Sequence, residues 1–128
     1  MKLLLDTHTA LWWVNEHEKL SSKTRAMLLN DEHTLYLSIV SAWEIAIKVS
    51  LGKLRNFDGG VKTFLTELED MPVFQLTVMP RHVEMVESLP LIHRDPFDRL
   101  LVATAKAEGM TILTADENIH QYDVPFVW

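Results

Sequence analysis

Apolar residues recur along this chain in two rhythms. Short runs bounded by polar or turn residues are strand-sized and rich in β-branched or aromatic side chains: LLL at 3–5, TLYLSIV at 34–40, VFQLTV at 73–78, TIL at 111–113 and the closing PFVW. Between them, SSKTRAMLLN, SAWEIAIKVSLGKL, VKTFLTELEDM, RHVEMVESL and PFDRLLVATAKAEG start on polar residues and space their apolar positions as helices do, the last closing on Gly109. Strands alternating with helices predict an α/β sandwich around a mainly parallel sheet. Ligands of such sheets collect in the crevice beyond the carboxyl ends of the strands. Gly59 and Gly60 after Asp58 mark a turn between two helical stretches, and no repeat, low-complexity tract or linker interrupts the chain. At 128 residues it reads as a single domain spanning 1–128.

Composition narrows the classes of function. Hydrophobic residues at 48% and charged residues at 23% are ordinary globular usage and argue against disorder. The absence of cysteine excludes disulfides, zinc ribbons and thiol nucleophiles, and a cytoplasmic location is the simplest reading. In the opening MKLLLD, Asp6 stops the apolar run far short of a signal-peptide core or a membrane span, so this segment reads as a first strand. A net charge of -6 rules out bulk attraction to nucleic acid; a polyanion would have to meet a local basic patch or bridging cations. Lys48, Lys53 and Arg55 in KVSLGKLR, with Arg94 and Arg99 elsewhere, are the candidates for such a patch. Ordinary solvated charge is the commoner reading of a cluster this small.

The carboxylates carry more information. Asp6 directly follows LLL and Asp116 follows ILTA, so two strands would each deliver an acid to one edge of the sheet, although either acid could simply cap the next helix. Ser41 and Glu44 have the spacing of a capping box, and Lys48 lies four residues beyond Glu44 in the favourable order for an ion pair. In DPFDR, Asp95 precedes Pro96 and is the natural N-cap of a helix, which leaves Asp98 at the third helical position. A carboxylate there suits the helix dipole, but on the helical wheel it lies next to Val102 and Ala105, on the buried border, where an unpaired charge is costly. Asp98 therefore calls for a cation. Four acids meeting at one edge would form an oxygen-only cluster, suited to Mg²⁺ or Mn²⁺. The chain lacks D-x-D after its first strand, the paired acids and late lysine of a receiver domain, G-x-x-x-x-G-K and G-x-S-x-G. None of its six histidines falls into zinc-ligand spacing.

Taken together and in order, LLLDTHTALWW, SAWEIAIK, DPFDRLLVATA and ILTADENI resemble the PIN-domain ribonucleases, and within them the VapC-type toxins of bacterial toxin–antitoxin pairs. The resemblance spans nearly the whole chain. It implies a PIN-like three-layer sandwich in which Asp6, Glu44, Asp98 and Asp116 are the catalytic, metal-holding acids. It further implies endonucleolytic hydrolysis of RNA with Mg²⁺ or Mn²⁺, inhibition by a cognate antitoxin and assembly as a homodimer; the short opening run already predicts no membrane association. Thr114 matches a hydroxyl position near the last acid, and Asn118 is a looser candidate. His8 departs from the family pattern, since many members carry Ser or Thr there; His8 and His93 read as packing or capping residues. The alternative is a non-catalytic PIN-like module that binds RNA or protein, with Trp12, Trp13, Phe57, Phe64 and Trp128 as a possible partner surface, though aromatics are more often core. The presence of all four acids favours the enzyme.

Overall fold

Side chains alternate across a strand, so a strand buried on both faces must be apolar at every position. The LLL run of residues 3–5 is such a strand, and it lies at the centre of the sheet. The computed structural model describes residues 1–54 and 58–128, so Arg55 and Phe57 lie outside the described residues. Strands β1 (Lys2–Leu5), β2 (Thr34–Ser38), β3 (Val73–Leu76), β4 (Thr111–Leu113) and β5 (Phe126–Val127) form one sheet in the order β3-β2-β1-β4-β5. Every pairing is parallel, with Leu4 of β1 set between Tyr36 and Ile112.

Two cores follow from this alternation. Leu3 and Leu5 face one core with residues from helices α1 (Thr7–Val14), α2 (Ser22–Leu28), α3 (Ile39–Ser50) and α4 (Gly60–Glu69), including Trp13, Leu28, Ile45 and Phe64. Leu4 faces the other with Leu101 and Val102 of α6 (Pro96–Glu108) and Ile119 of α7 (Glu117–His120), joined by Met85 and Val86 of α5 (Pro80–Glu87). The expected three-layer α/β sandwich is therefore present. From β1 the chain runs to β2 and β3 on one side and then crosses to β4 and β5 on the other. That reversal opens a crevice beyond the ends of β1 and β4, the usual place for a ligand in an open parallel sheet.

Local signals place most helix ends. Asp95 Oδ1 accepts from the backbone N–H of Phe97 at 2.9 Å and of Asp98 at 3.2 Å, with Pro96 in the first turn, and Gly109 closes α6 in the left-handed region at φ 65. α3 differs from its expected start. It begins at Ile39, capped by Ser38 Oγ, which accepts from Val40 N at 3.1 Å, so Ser41 lies inside the helix and no Ser41–Glu44 capping box forms. Ile39 and Val40 extend the apolar run of β2, and periodicity cannot separate the end of a buried strand from the start of a buried helix. α1 has no clear amphipathic signal because Thr7, Thr9, Ala10, Leu11 and Trp13 are all buried, around most of its circumference.

The α5–α6 pair is held by Glu108, whose Oε1 lies 2.6 Å from both Arg81 and the buried His82; hydrogen bonds from Arg81 first and then His82 hold its carboxyl below the usual range. The aromatic residues considered for a partner surface are mostly internal. Trp13 and Phe64 are core, while Trp12 and Trp128 are partly buried and meet edge to face at 5.7 Å. Among the described residues the exposed aromatics are instead Trp43, Phe74 and Phe126. Among the described residues no helix is long and apolar enough to cross a membrane.

Leu101 is fully buried where α6 meets the sheet, whereas Leu91 is 92% exposed. Leu101→Ala is expected to lower unfolding stability by about 2–5 kcal/mol in urea denaturation, and Leu91→Ala by no more than about 0.5 kcal/mol.

Candidate active site

Asp6 is the first residue after β1, and its backbone N–H donates to Leu113 O at 3.2 Å, which ties it to the end of β4. It occupies the N-cap position of α1, but its side chain does not cap the helix. Its Oδ2 accepts instead from the Thr114 hydroxyl at 2.9 Å. The Thr114 Oγ1 in turn accepts the backbone N–H of Asp116 at 3.0 Å, so one buried hydroxyl couples the acids of two neighbouring strands. Asp116 Oδ1 caps α7 by accepting from Asn118 N at 2.8 Å. Capping and placement at the sheet edge thus coexist in Asp116, and the recorded contact of Asn118 is its backbone.

Glu44 and Asp98 enter from the helices. Glu44, buried on α3, has both oxygens engaged: Oε1 lies 2.9 Å from Thr7 Oγ1, and Oε2 lies 2.5 Å from Lys48 Nζ, the ion pair its spacing predicts. Thr7 also lies 2.8 Å from Ser41 Oγ, so Ser41 supports this network from within the helix rather than capping it. Asp98, buried on α6, has Oδ2 3.1 Å from His93 Nε2. His93 is therefore more than a packing residue. Arg99 donates to Pro90 O at 2.8 Å and to the Tyr122 hydroxyl at 3.1 Å, so neither it nor Lys48 stands as a free cation; Lys53 and Arg94 of the candidate basic residues are exposed.

Burial and like charge dominate the electrostatics. The Asp98 carboxyl is pushed up to about 8, first by burial and then by the negative charges of Asp95, Asp6, Asp116 and Glu44. Burial also raises Asp6, with smaller contributions from Asp116 and Glu44, while His8 and the Thr114 hydrogen bond oppose the rise. The four acids thus lie within reach of one another's charge. Among the described residues no lysine or arginine forms an ion pair with Asp6, Asp98 or Asp116, and no three acid or histidine side chains already close into a metal cage.

Asp6, Asp98 and Asp116 each have one oxygen held by a protein donor and one that accepts no hydrogen bond among the described residues: Oδ1 of Asp6, Oδ1 of Asp98 and Oδ2 of Asp116. No buried side-chain nitrogen or oxygen among the described residues lacks a partner, so solvent reaches these three atoms. An all-oxygen, water-accessible donor set fits a hard divalent cation, which takes one or two carboxylates directly and keeps several of its waters. Beside it an open depression of about 280 Å³ is lined by Asp6, His8, Trp12, Lys19, Ala115 and Asp116. Trp43 and Phe97, chain neighbours of Glu44 and Asp98, meet edge to face at 5.1 Å, with Trp43 exposed. Sequence reasoning missed the contacts of Thr7, His93 and Tyr122; the one available signal was His93's position five residues before Asp98.

A family model described as the PIN domain matches residues 3–125. Ribonuclease VapC22 of Mycobacterium tuberculosis is 29% identical over 125 residues, which is 96% of this chain and 93% of that protein. Solved structures share the fold. VapBC2 from Rickettsia felis, bound to a DNA fragment from their promoter, gives a TM-score of 0.74 at 17% identity, covering 99% of this chain and 98% of that one. VapBC-1 from nontypeable Haemophilus influenzae gives 0.68 at 17% identity, covering 99% and 97%. A toxin-antitoxin complex from Klebsiella pneumoniae gives 0.63 at 12% identity, covering 98% and 96%. The structural matches speak for the fold, and the family model covers all four acids together with the strands and helices that carry them: the chain belongs to the PIN domain family.

Proposed function

We propose that this protein is a VapC-type endoribonuclease that depends on Mg²⁺ or Mn²⁺ and acts as the toxin of a toxin–antitoxin pair. The observation that carries this reading is the set of open oxygens on Asp6, Asp98 and Asp116, on buried or half-buried carboxyls at the crevice of a parallel sheet. The likeness to a ribonuclease supports RNA as substrate, and the structural relative solved as a toxin-antitoxin complex supports an antitoxin partner. A homodimer and a cytoplasmic location belong to the same reading.

In this mechanism Asp6, Asp98 and Asp116 would hold the cation through their open oxygens. Glu44, whose Oε2 is paired with Lys48, would be the fourth acid facing it. When bound, the divalent ion supplies positive charge to the phosphate oxygens of the scissile linkage and lowers the pKa of the water that attacks it. Thr114 keeps Asp6 and Asp116 in fixed relation. Of the candidate basic residues, Lys53 and Arg94 are exposed and would meet flanking phosphates on a chain whose net charge of -6 otherwise repels RNA.

The decisive assay is RNA cleavage by the purified protein freed of any partner. Cleavage is expected to require Mg²⁺ or Mn²⁺ and to fall with Asp98→Asn by more than the roughly 10–100-fold that loss of an outer-shell partner costs. Asp95→Asn should keep most activity, because Asn caps a helix as well as Asp. Equal cleavage by both variants and wild type would remove Asp98 from the site, and no cleavage by wild type would favour the non-catalytic binding module.

The raised Asp98 carboxyl also fixes the sign of a pH dependence. Its unfolded value is near 3.8 and its folded value about 8. Between those limits the metal-free native state keeps a proton that the unfolded chain has released, so stability should fall as pH rises from about 4 to about 8. Urea denaturation over that range should show this slope in wild type, a weaker slope in Asp98→Asn, and relief by Mn²⁺ at the alkaline end.

A further inference from the structure

Arg99 and Asp98 are adjacent in sequence but point about a quarter turn apart on α6, and their connection runs through two other side chains. Arg99 Nη1 lies 3.1 Å from the Tyr122 hydroxyl, Tyr122 lies 2.7 Å from His93 Nδ1, and His93 Nε2 lies 3.1 Å from Asp98 Oδ2. Guanidinium only donates, so the Tyr122 oxygen accepts from it. The single proton of that hydroxyl then points at His93 Nδ1, which must be the accepting nitrogen. The ring proton of the neutral imidazole is left on Nε2, facing the carboxylate. Reversing the chain would strand the Tyr122 proton without an acceptor in a side chain that is only 4% exposed, a costly arrangement.

The relay also fixes the loop that carries His93. Arg99 donates to the carbonyls of Pro90 at 2.8 Å and Leu89 at 3.5 Å, and the His93 ring packs edge to face on Tyr122 with centroids 5.4 Å apart. The loop carrying His93, the first turn of α6 and Tyr122 are thus linked, through His93, to one oxygen of Asp98. We propose that His93 is the positioning residue for Asp98: Arg99 and Tyr122 lock it in the Nε2–H form, its one donor holds Oδ2, and Oδ1 is left open, where it would take a divalent cation. This rests on the metal-dependent reading of the site, and it assigns Arg99 to carboxylate positioning instead of contact with RNA.

The test uses the full chain without its partner. Long-range ¹H–¹⁵N spectra of the metal-free protein, at a pH where the imidazole is neutral, should show His93 as the Nε2–H tautomer, and Tyr122→Phe should mix the two tautomers. Calorimetric Mn²⁺ affinity should fall about 10–100-fold in Tyr122→Phe and in His93→Leu. His93→Gln, whose amide can donate to Asp98, should recover part of that loss; the two His93 variants carry the test if Tyr122→Phe does not fold. An Nδ1–H tautomer in wild type, or unchanged Mn²⁺ affinity in both Tyr122→Phe and His93→Leu, overturns the proposal. So does loss of the Nε2 proton when Mg²⁺ is added, which would make His93 a ligand. Absence of Mn²⁺ binding by wild type would overturn the metal reading and the cation half of this proposal, while the metal-free spectra would still decide the relay.

Discussion

The constraint on which this structure turns is the gathering of like charges in a place poor in water. Asp6, Glu44 and Asp98 are buried, and Asp116 is half-buried beside them. The fold tolerates this because three of the four acids stand at helix N-termini: Asp6 at the N-cap of α1, Asp98 in the first turn of α6, and Asp116 at the N-cap of α7. Unpaired N–H groups and the helix dipole favour negative charge at each of these ends. Glu44 lies further along α3, away from such an end, and it is the acid that carries a lysine.

Neutral donors do most of the remaining positioning. The hydroxyls of Thr7 and Thr114 and the imidazole of His93 each take one oxygen of an acid. These groups fix the orientation of the carboxyls without supplying a full positive charge, so the crevice is left short of cations. The raised carboxyls of Asp6 and Asp98 measure what is left uncompensated.

Sequence and structure diverge where a residue's role depends on what lies across the fold. The capping role of Asp95, the Glu44–Lys48 pair and the glycine end of α6 are contacts within a few residues, and all were readable from spacing. The start of α3 was not, because Ile39 and Val40 satisfy the pattern of a buried strand and of a buried helix equally. Ser41 kept its polar role but changed partner, from Glu44 in its own helix to Thr7 in α1. His93 looked like any isolated histidine until the fold placed Tyr122 and Asp98 on either side of its ring.

The sequence by itself determined the alternation of strands and helices, the parallel sheet that follows, and the edge from which Asp6 and Asp116 emerge. These rest on local periodicity and on the direction of the chain, which short windows contain. Only the tertiary structure decided which oxygen of each acid is held and which is left open. Thr114 is separated from Asp6 by 108 positions and Thr7 from Glu44 by 37, and His93, though only five residues from Asp98, is oriented by Tyr122, 29 positions further on. A hydrogen bond is formed over about 3 Å of space, and no local pattern encodes a proximity that exists only after both cores have packed.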